Sequence, residues 1–262
     1  MFTSQVILAG AGPGDKDLIT VKLANALAWA EVILVDRLVN HEIIHQYANA
    51  STEVISVGKE GNSAHSFTQE EINQLLLKYA SENKRVLRLK GGDVAIYSNV
   101  VDEIKTLLNQ NISFEIIPGI TAASGIAASL KIPLTGREYA SGVQIHSLST
   151  NDIVSGKQLS EWADTNDTLV FYMSTAGLIR LAENLLHHGA HDKYIAIIEQ
   201  GTTPQQINSL TTLSKVRHLA SNREFQSPTL IIIGDILSLM PSESLKPSAQ
   251  SKPFFTSLNS QN

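Results

Sequence analysis

The stretch VILAGAGPGD, residues 6–15, contains the feature that decides the fold. Its short apolar run is typical of a buried strand, and the glycines that follow predict a tight turn. Glycine permits positive φ and lets a ligand approach the backbone closely. Because open α/β sheets bind ligands beyond the carboxyl ends of their strands, this stretch predicts a strand followed by a ligand-binding turn.

Short apolar runs continue to alternate with helical periodicity along the first half of the chain. Thr68 and Glu71 form a capping box, and Phe67 and Ile72 occupy the two positions of a hydrophobic staple. This alternation predicts an α/β domain with a mostly parallel sheet. Strands are predicted at residues 5–9, 32–35, 53–57, 85–89 and 113–117, and helices at 18–30, 68–81 and 100–109.

A second series of elements begins after Pro118 and Gly119. Some of its strands follow one another without an intervening helix, which predicts a second α/β domain with a mixed sheet. From residue 241 the chain is rich in Ser and Pro, which predicts a disordered tail. Strands are predicted at 143–147, 168–173, 194–199, 206–210 and 229–234, helices at 121–129, 175–186 and 211–220, and the domains at 1–118 and 119–240 with a tail at 241–262.

The composition excludes several classes of function. The chain has 262 residues, no cysteine and a net charge of −5. Disulfides, zinc-thiolate sites, iron-sulfur clusters and thiol nucleophiles are therefore excluded, and a cytoplasmic location is expected. No signal peptide and no apolar run near the ~20 residues of a membrane span is present. The acidic balance argues against nucleic acid as a partner, and no metal site is predicted because the run from His187 to His191 lacks a carboxylate at ligand spacing.

Two more glycine motifs follow predicted strands. Arg88 and Lys90 alternate with two leucines, so strand geometry places both cations on one face, directly before the turn at residues 91–93. Backbone groups of that turn and Asp93 are candidates for hydrogen bonds to a polar ligand. The small side chains of residues 118–124 allow a helix start to lie close to a ligand or to another backbone segment.

The first glycine turn has two other interpretations. A dinucleotide-binding fingerprint would make Asp36 the acid that binds the ribose. The third glycine of that fingerprint falls at Asp15, however, and Pro13 delays the helix, so an NAD site is disfavoured. The alternative that this turn has a purely structural role also remains.

Taken in order, these motifs resemble the uroporphyrinogen-III C-methyltransferases of the tetrapyrrole methylase superfamily. The resemblance implies two α/β domains with a cleft between them, a homodimer, and transfer of methyl groups from S-adenosyl-L-methionine to carbons 2 and 7 of uroporphyrinogen III. The product would be precorrin-2, which leads to sirohaem and cobalamin. The matching segments are residues 6–15, 36–39, 57–59, 88–93, 117–124, 132–135, 137, 139–140, 168–173, 201–202 and 227–231.

The resemblance also implies roles for individual residues. Asp36 matches the family's candidate proton acceptor, and Lys59 matches its candidate proton donor. Asp36 could alternatively cap a helix or bind a ribose. Lys59 could alternatively be a solvated loop lysine or an anchor for a substrate carboxylate. The octa-carboxylate substrate requires a local group of cations. The candidate residues for binding the substrate carboxylates are Arg137, Arg37 and Lys90. Each of them could alternatively belong to a surface ion pair. The implied cofactor site consists of Pro13, Gly91, Gly92, Asp93, Ile96, Thr121, Ala122, Met173 and Gly201.

The sequence departs from the family pattern on the implied substrate side. Where the family has an arginine and a glutamate, this chain has Asn99 and Asp102, and the usual histidine before Arg137 is Gly136. Asparagine cannot replace a bidentate cationic anchor. Two alternatives therefore stay open: a methylase of another precorrin, and a pseudoenzyme that binds the cofactor without transferring the methyl group.

Overall fold

The computed structural model describes residues 2–58, 67–148, 152–221, 223–245 and 254–255. The chain divides into two compact units, the first comprising Met1–Ala122 with Phe255–Asn262 and the second Ala123–Phe254. Each unit contains a five-stranded sheet. The predicted fold class of two α/β domains is confirmed, while the exact domain bounds stay a prediction.

In the first unit every strand pairing is parallel, and the strand order is β3-β2-β4-β1-β5. All residues of β1, β2 and β4 are buried, as expected for a parallel sheet covered on both faces. The elements are β1 (Val6–Gly10), α1 (Val21–Trp29), β2 (Val32–Val35), α2 (His41–Tyr47), β3 (Glu53–Ser56), α3 (Gln69–Ser81), β4 (Val86–Lys90), α4 (Val101–Asn109) and β5 (Phe114–Ile117).

Among the described residues of this unit, α1 and α2 pack on one face of the sheet, and α3 and α4 pack on the other. Leu87 and Leu89 share an apolar cluster with α1 and α2, whereas Val86 and Leu8 share one with α3 and α4. Right-handed crossovers explain why the helices lie on different faces. A connection that moves along the sheet toward β3 places its helix on one face, and a connection that moves toward β5 places its helix on the other. The loops after the neighbouring strands β2 and β4 therefore leave in opposite directions, and such a switch point opens a crevice at the carboxyl ends of the strands.

Helix α3 begins at the predicted capping box. The Thr68 Oγ1 accepts a hydrogen bond from the Glu71 N–H at 3.2 Å, and the Glu71 Oε2 accepts one from the Thr68 N–H at 2.7 Å. Phe67 packs against the apolar cluster that contains Ile72, as the staple predicts. Both local predictions are confirmed.

Replacing Thr68 with alanine is expected to lower the free energy of unfolding by about 1 kcal/mol, because the Glu71 N–H in the first turn loses its side-chain acceptor. Urea denaturation followed by circular dichroism measures this loss. Gln74→Ala, at an exposed position of the same helix, is the control and should change stability by less than about 0.5 kcal/mol. Equal losses in both variants would contradict a capping effect.

The second unit begins within α5 (Ala122–Ser129) and has the strand order β6-β7-β10-β8-β9. β6 and β7 pair in parallel, whereas β10 pairs with β7 and β8, and β8 with β9, in antiparallel fashion, so the predicted mixed sheet is confirmed. Its core includes Trp162, Phe171 and Ile231. The remaining elements are β6 (Val143–Ser147), α6 (Gly156–Asp164), β7 (Thr168–Tyr172), α7 (Leu178–His187), β8 (Tyr194–Glu199), β9 (Ile207–Thr212), α8 (Val216–Ser221) and β10 (Thr229–Ile233).

Parts of the chain differ from the sequence-based expectation. Helices α2 and α6 were not predicted, although Asn40 and Ser155 cap their first turns. The start of the predicted tail is folded: Ser244 is buried, and its carbonyl accepts a hydrogen bond from the Asn208 Nδ2 at 2.6 Å. The tail residues 246–253 and 256–262 lie outside the described residues. No described helix is both long and apolar enough to cross a membrane.

Candidate functional site

A cavity of about 340 Å³ lies at the switch point between β2 and β4. Its size falls in the range of small-molecule sites. Three predicted catalytic or substrate-binding residues line it together, namely Asp36, Arg37 and Lys90, and so does Gly91 from the predicted cofactor set. The other lining residues are Leu38, Val57, Gly58, Phe67, Gln69, Ile72, Arg88, Tyr97, Ser98 and Asn99.

Four charged side chains form a connected cluster beneath this cavity. The Arg88 Nη2 donates to the Asp36 Oδ1 at 2.5 Å, and the Arg88 Nε donates to the Glu103 Oε1 at 2.9 Å. The Lys90 Nζ donates to the same Glu103 oxygen at 3.0 Å and lies 3.8 Å from the Asp36 Oδ2. Asp36 is 29% exposed, whereas the other three side chains are at most 3% exposed. Two buried cations are therefore balanced by one buried and one cavity-facing carboxylate.

The cluster shifts the pKa values of its two cations in opposite directions. Burial lowers the pKa of Lys90, and the neighbouring Arg88 lowers it further. Burial also opposes the charged form of Arg88, but the attraction of Asp36 and Glu103 together raises its pKa above the ordinary value. Arg88 therefore stays charged, and Lys90 is the cation of the cluster that loses its proton more easily.

The predicted basic face of β4 is present, but its two cations are already engaged in ion pairs. Arg88 and Lys90 do point to one face, where α4 packs, yet Glu103 and Asp36 engage both. Arg37, by contrast, lines the cavity and makes no ion pair with any described residue. Arg37 is therefore the better-placed cation for an anionic ligand.

The glycines at the ends of β1, β4 and β5 bring three loops into backbone contact. A Cβ on Gly10 would lie 2.5 Å from the Gly92 carbonyl oxygen and 2.8 Å from the Gly119 nitrogen. The Gly12 and Gly92 backbones exchange two hydrogen bonds, and the Asp93 Oδ2 accepts one from the Gly119 N–H at 2.8 Å. At Gly10 and Gly119 the structural alternatives left open by the sequence are therefore observed, because both glycines are required for close packing of backbone segments. Gly92 differs, since a Cβ there would meet nothing within 4 Å.

Backbone strain is concentrated in the predicted site segments. Within the described ranges, eight non-glycine residues have positive φ, which is uncommon for residues with a Cβ. Three of them, Asn83, Asn111 and Lys131, lie two residues beyond the ends of α3, α4 and α5, where this conformation is usual. The other five are Tyr97, Asn99, Met173, Gln200 and Thr202. Such strained positions favour a functional role for the segments that contain them.

The structure leaves several predicted site residues untested. Lys59 lies outside the described residues. Arg137 and Met173 are exposed and Gly201 is buried against Ile126, all in the second unit. Pro13, Asp93, Ile96, Thr121 and Ala122 are partly buried residues of the first unit.

Glu103 was not predicted as a site residue. Asp102 was singled out instead, but it is exposed in the first turn of α4, whereas Glu103 is buried in the charge cluster. One signal was present: Val100, Glu103 and Leu107 follow helical spacing, so the glutamate falls on the apolar face of α4. A carboxylate at such a position requires a buried partner.

The chain is similar to known proteins along most of its length. Residues 5–217 match the family model for Tetrapyrrole (Corrin/Porphyrin) Methylases. The siroheme synthase of Thioalkalivibrio sulfidiphilus is 42% identical over 239 residues, which is 90% of this chain and 48% of that protein. The chain therefore spans about half the length of the siroheme synthases that it matches.

Solved structures show the same similarity. The native form of uroporphyrin III C-methyl transferase from Thermus thermophilus is 32% identical with a TM-score of 0.74, and the match covers 90% of this chain and 99% of that one. The structure of the Thermus thermophilus protein complexed with S-adenyl homocysteine gives the same identity and TM-score, with coverage of 90% and 100%.

Proposed function

This chain belongs to the tetrapyrrole methylase family, and we propose that it transfers methyl groups from S-adenosyl-L-methionine to carbons 2 and 7 of uroporphyrinogen III, giving precorrin-2. The observation that carries the proposal is the cavity at the switch point of the first sheet, where Asp36 lies beside Arg37, which makes no ion pair with a described residue. The similarity to the Thermus thermophilus methyltransferase supports the choice of reaction.

The residues of the first unit are compatible with the proposed cofactor. S-adenosyl-L-methionine supplies an electrophilic methyl group on a cationic sulfonium. Gly92 has open space where a side chain would be, and the carboxylate of Asp93 is held in place by the N–H groups of Ala95 and Gly119. The residues that we propose to bind the cofactor are Pro13, Gly91, Gly92, Asp93, Ile96, Thr121, Ala122, Met173 and Gly201.

Asp36 is suited to accept a proton from the substrate. Its Oδ1 is engaged by Arg88, whereas its Oδ2 makes no hydrogen bond with a described residue and belongs to a side chain that lines the cavity. Bound S-adenosyl-L-methionine would supply the methyl group, and holding the electron-rich porphyrinogen carbon against it would supply much of the rate. Asp36 then removes the proton that the macrocycle must lose, and Lys59 stays the candidate donor.

Substrate carboxylates require cationic anchors, which we assign first to Arg37 and Arg137. Neither makes an ion pair with a described residue, so their guanidinium groups are available to form charge-assisted hydrogen bonds. Lys90 stays a third candidate, although its ammonium already donates to Glu103. An anchor at Arg37 would lie in the same cavity as Asn99, where the family has its arginine.

The deciding experiment is an anaerobic incubation of the purified protein with uroporphyrinogen III and isotopically labelled S-adenosyl-L-methionine, with the product mass as readout. Two added methyl groups per macrocycle are expected. A protein that methylates only a different precorrin would support the second candidate, a precorrin methylase, which the changed residues around Asn99 favour.

Cofactor binding without methyl transfer to any tetrapyrrole would instead support the pseudoenzyme alternative. Isothermal titration with S-adenosyl-L-methionine separates this outcome from a protein that does not bind the cofactor at all. We further propose a homodimer acting in the cytoplasm without nucleic acid as a partner; the oligomeric state is tested by light scattering.

A further inference from the structure

Glu103 is a buried carboxylate that the proposed reaction does not use directly. It is fully buried on α4 and does not line the cavity, yet only Arg88 and Lys90 separate it from Asp36. Its Oε1 accepts hydrogen bonds from both cations, while its Oε2 has no hydrogen-bond partner within the described residues. An incompletely satisfied buried carboxylate is costly, and it favours a role other than stability.

The geometry points to Glu103 as a positioning residue for Asp36, acting through Arg88 and Lys90. This inference rests on the proposed function of Asp36 as the proton acceptor. Glu103 binds Arg88 through Nε, and carbonyl oxygens of Leu34 and Leu89 accept from Nη1 at 3.2 and 3.4 Å. The guanidinium plane is therefore fixed from three sides, and Nη2 is the group directed at Asp36.

Fixing the guanidinium in this way leaves one oxygen of Asp36 for the substrate. A planar guanidinium can bind a carboxylate through two parallel hydrogen bonds, which would engage both oxygens of Asp36. With Nε held by Glu103, Arg88 contacts Asp36 through Nη2 and Oδ1 alone. Glu103 also offsets one of the two buried positive charges, so that Asp36 faces a smaller net attraction from below. Both effects keep Oδ2 available as a base.

The test is Glu103→Gln, which preserves the shape and one acceptor oxygen but removes the charge. We expect kcat for methyl transfer to fall at least about tenfold, because general-base catalysis is weakened, while the Kd for S-adenosyl-L-methionine stays within about twofold. Glu103→Asp retains the charge and is expected to keep a kcat between those of Glu103→Gln and the wild type. Glu31→Gln is the matched control: it breaks an exposed pair with Arg85 next to the other end of β4 and should leave kcat unchanged.

A double-mutant cycle separates positioning from a merely structural role. If Glu103 acts through Asp36, then Glu103→Gln should have little further effect on kcat in an Asp36→Asn background. An unchanged kcat in folded Glu103→Gln, or a full tenfold loss that persists in the Asp36→Asn background, would overturn the inference. Should Glu103→Gln not fold, Glu103→Asp enters the same cycle with the same criteria. Failure of the proposed function appears separately, since the wild-type protein would then transfer no methyl group to uroporphyrinogen III.

Discussion

Replacing Asp36 with asparagine is expected to lower kcat for methyl transfer about 10²- to 10⁴-fold, the range that a positioned general base contributes. Asparagine retains an oxygen that can accept the hydrogen bond from the Arg88 Nη2, so the side chain should keep its place at the cavity edge. What it loses is the second carboxylate oxygen and the ability to take up a proton. The measurement is single-turnover transfer of a labelled methyl group to uroporphyrinogen III.

Cofactor affinity distinguishes this role from a binding role. The Kd for S-adenosyl-L-methionine should stay within about threefold of the wild type in Asp36→Asn, because the expected effect is confined to the proton-transfer step. Asp17→Asn is the matched control, since Asp17 is an exposed aspartate of the same unit whose ion pair among the described residues is with Lys16, and it does not line the cavity. Equal losses of turnover and cofactor affinity in Asp36→Asn would refute the proton-acceptor role.

The fold could be predicted well because its signals are local. Runs such as residues 6–9 and 32–35 are apolar throughout, and the capping box at Thr68 fixes the start of α3. Helix α2 was missed because it has only seven residues, too few for a clear helical period. The sheet orders were not predicted, since strand neighbours depend on crossover directions that no local pattern specifies.

The site could be predicted only in part, because charge pairing depends on tertiary contacts. Alternation on β4 placed Arg88 and Lys90 on one face correctly, but the sequence did not indicate that Glu103 of α4 would meet them there. The sequence left open whether the glycines serve ligand approach or the packing of backbone segments, and only the tertiary structure shows that Gly10 and Gly119 pack against neighbouring loops. The sequence therefore indicated which residue types could act at the site, whereas their ion-pair partners and packing contacts became clear only in the tertiary structure.

Replacing Arg88 with methionine is expected to lower the free energy of unfolding by about 3 to 5 kcal/mol, the usual cost of removing one member of a buried ion pair. Methionine fills much of the volume but leaves Glu103, which is fully buried, with Lys90 as its remaining hydrogen-bond partner. It also removes the guanidinium hydrogen bonds to the Leu34 and Leu89 carbonyls and to the Asp36 Oδ1. Urea denaturation followed by circular dichroism measures the loss.

The reason for this cost can be checked by removing both charges. In Arg88→Met with Glu103→Met, no carboxylate is left buried without its arginine, so the double variant should be less destabilised than Arg88→Met alone. Arg85→Met is the control: it breaks the exposed pair with Glu31 and should cost less than about 1 kcal/mol. A double variant as unstable as the sum of the two single variants would mean that Arg88 and Glu103 stabilise the unit independently, through packing rather than through their mutual charge.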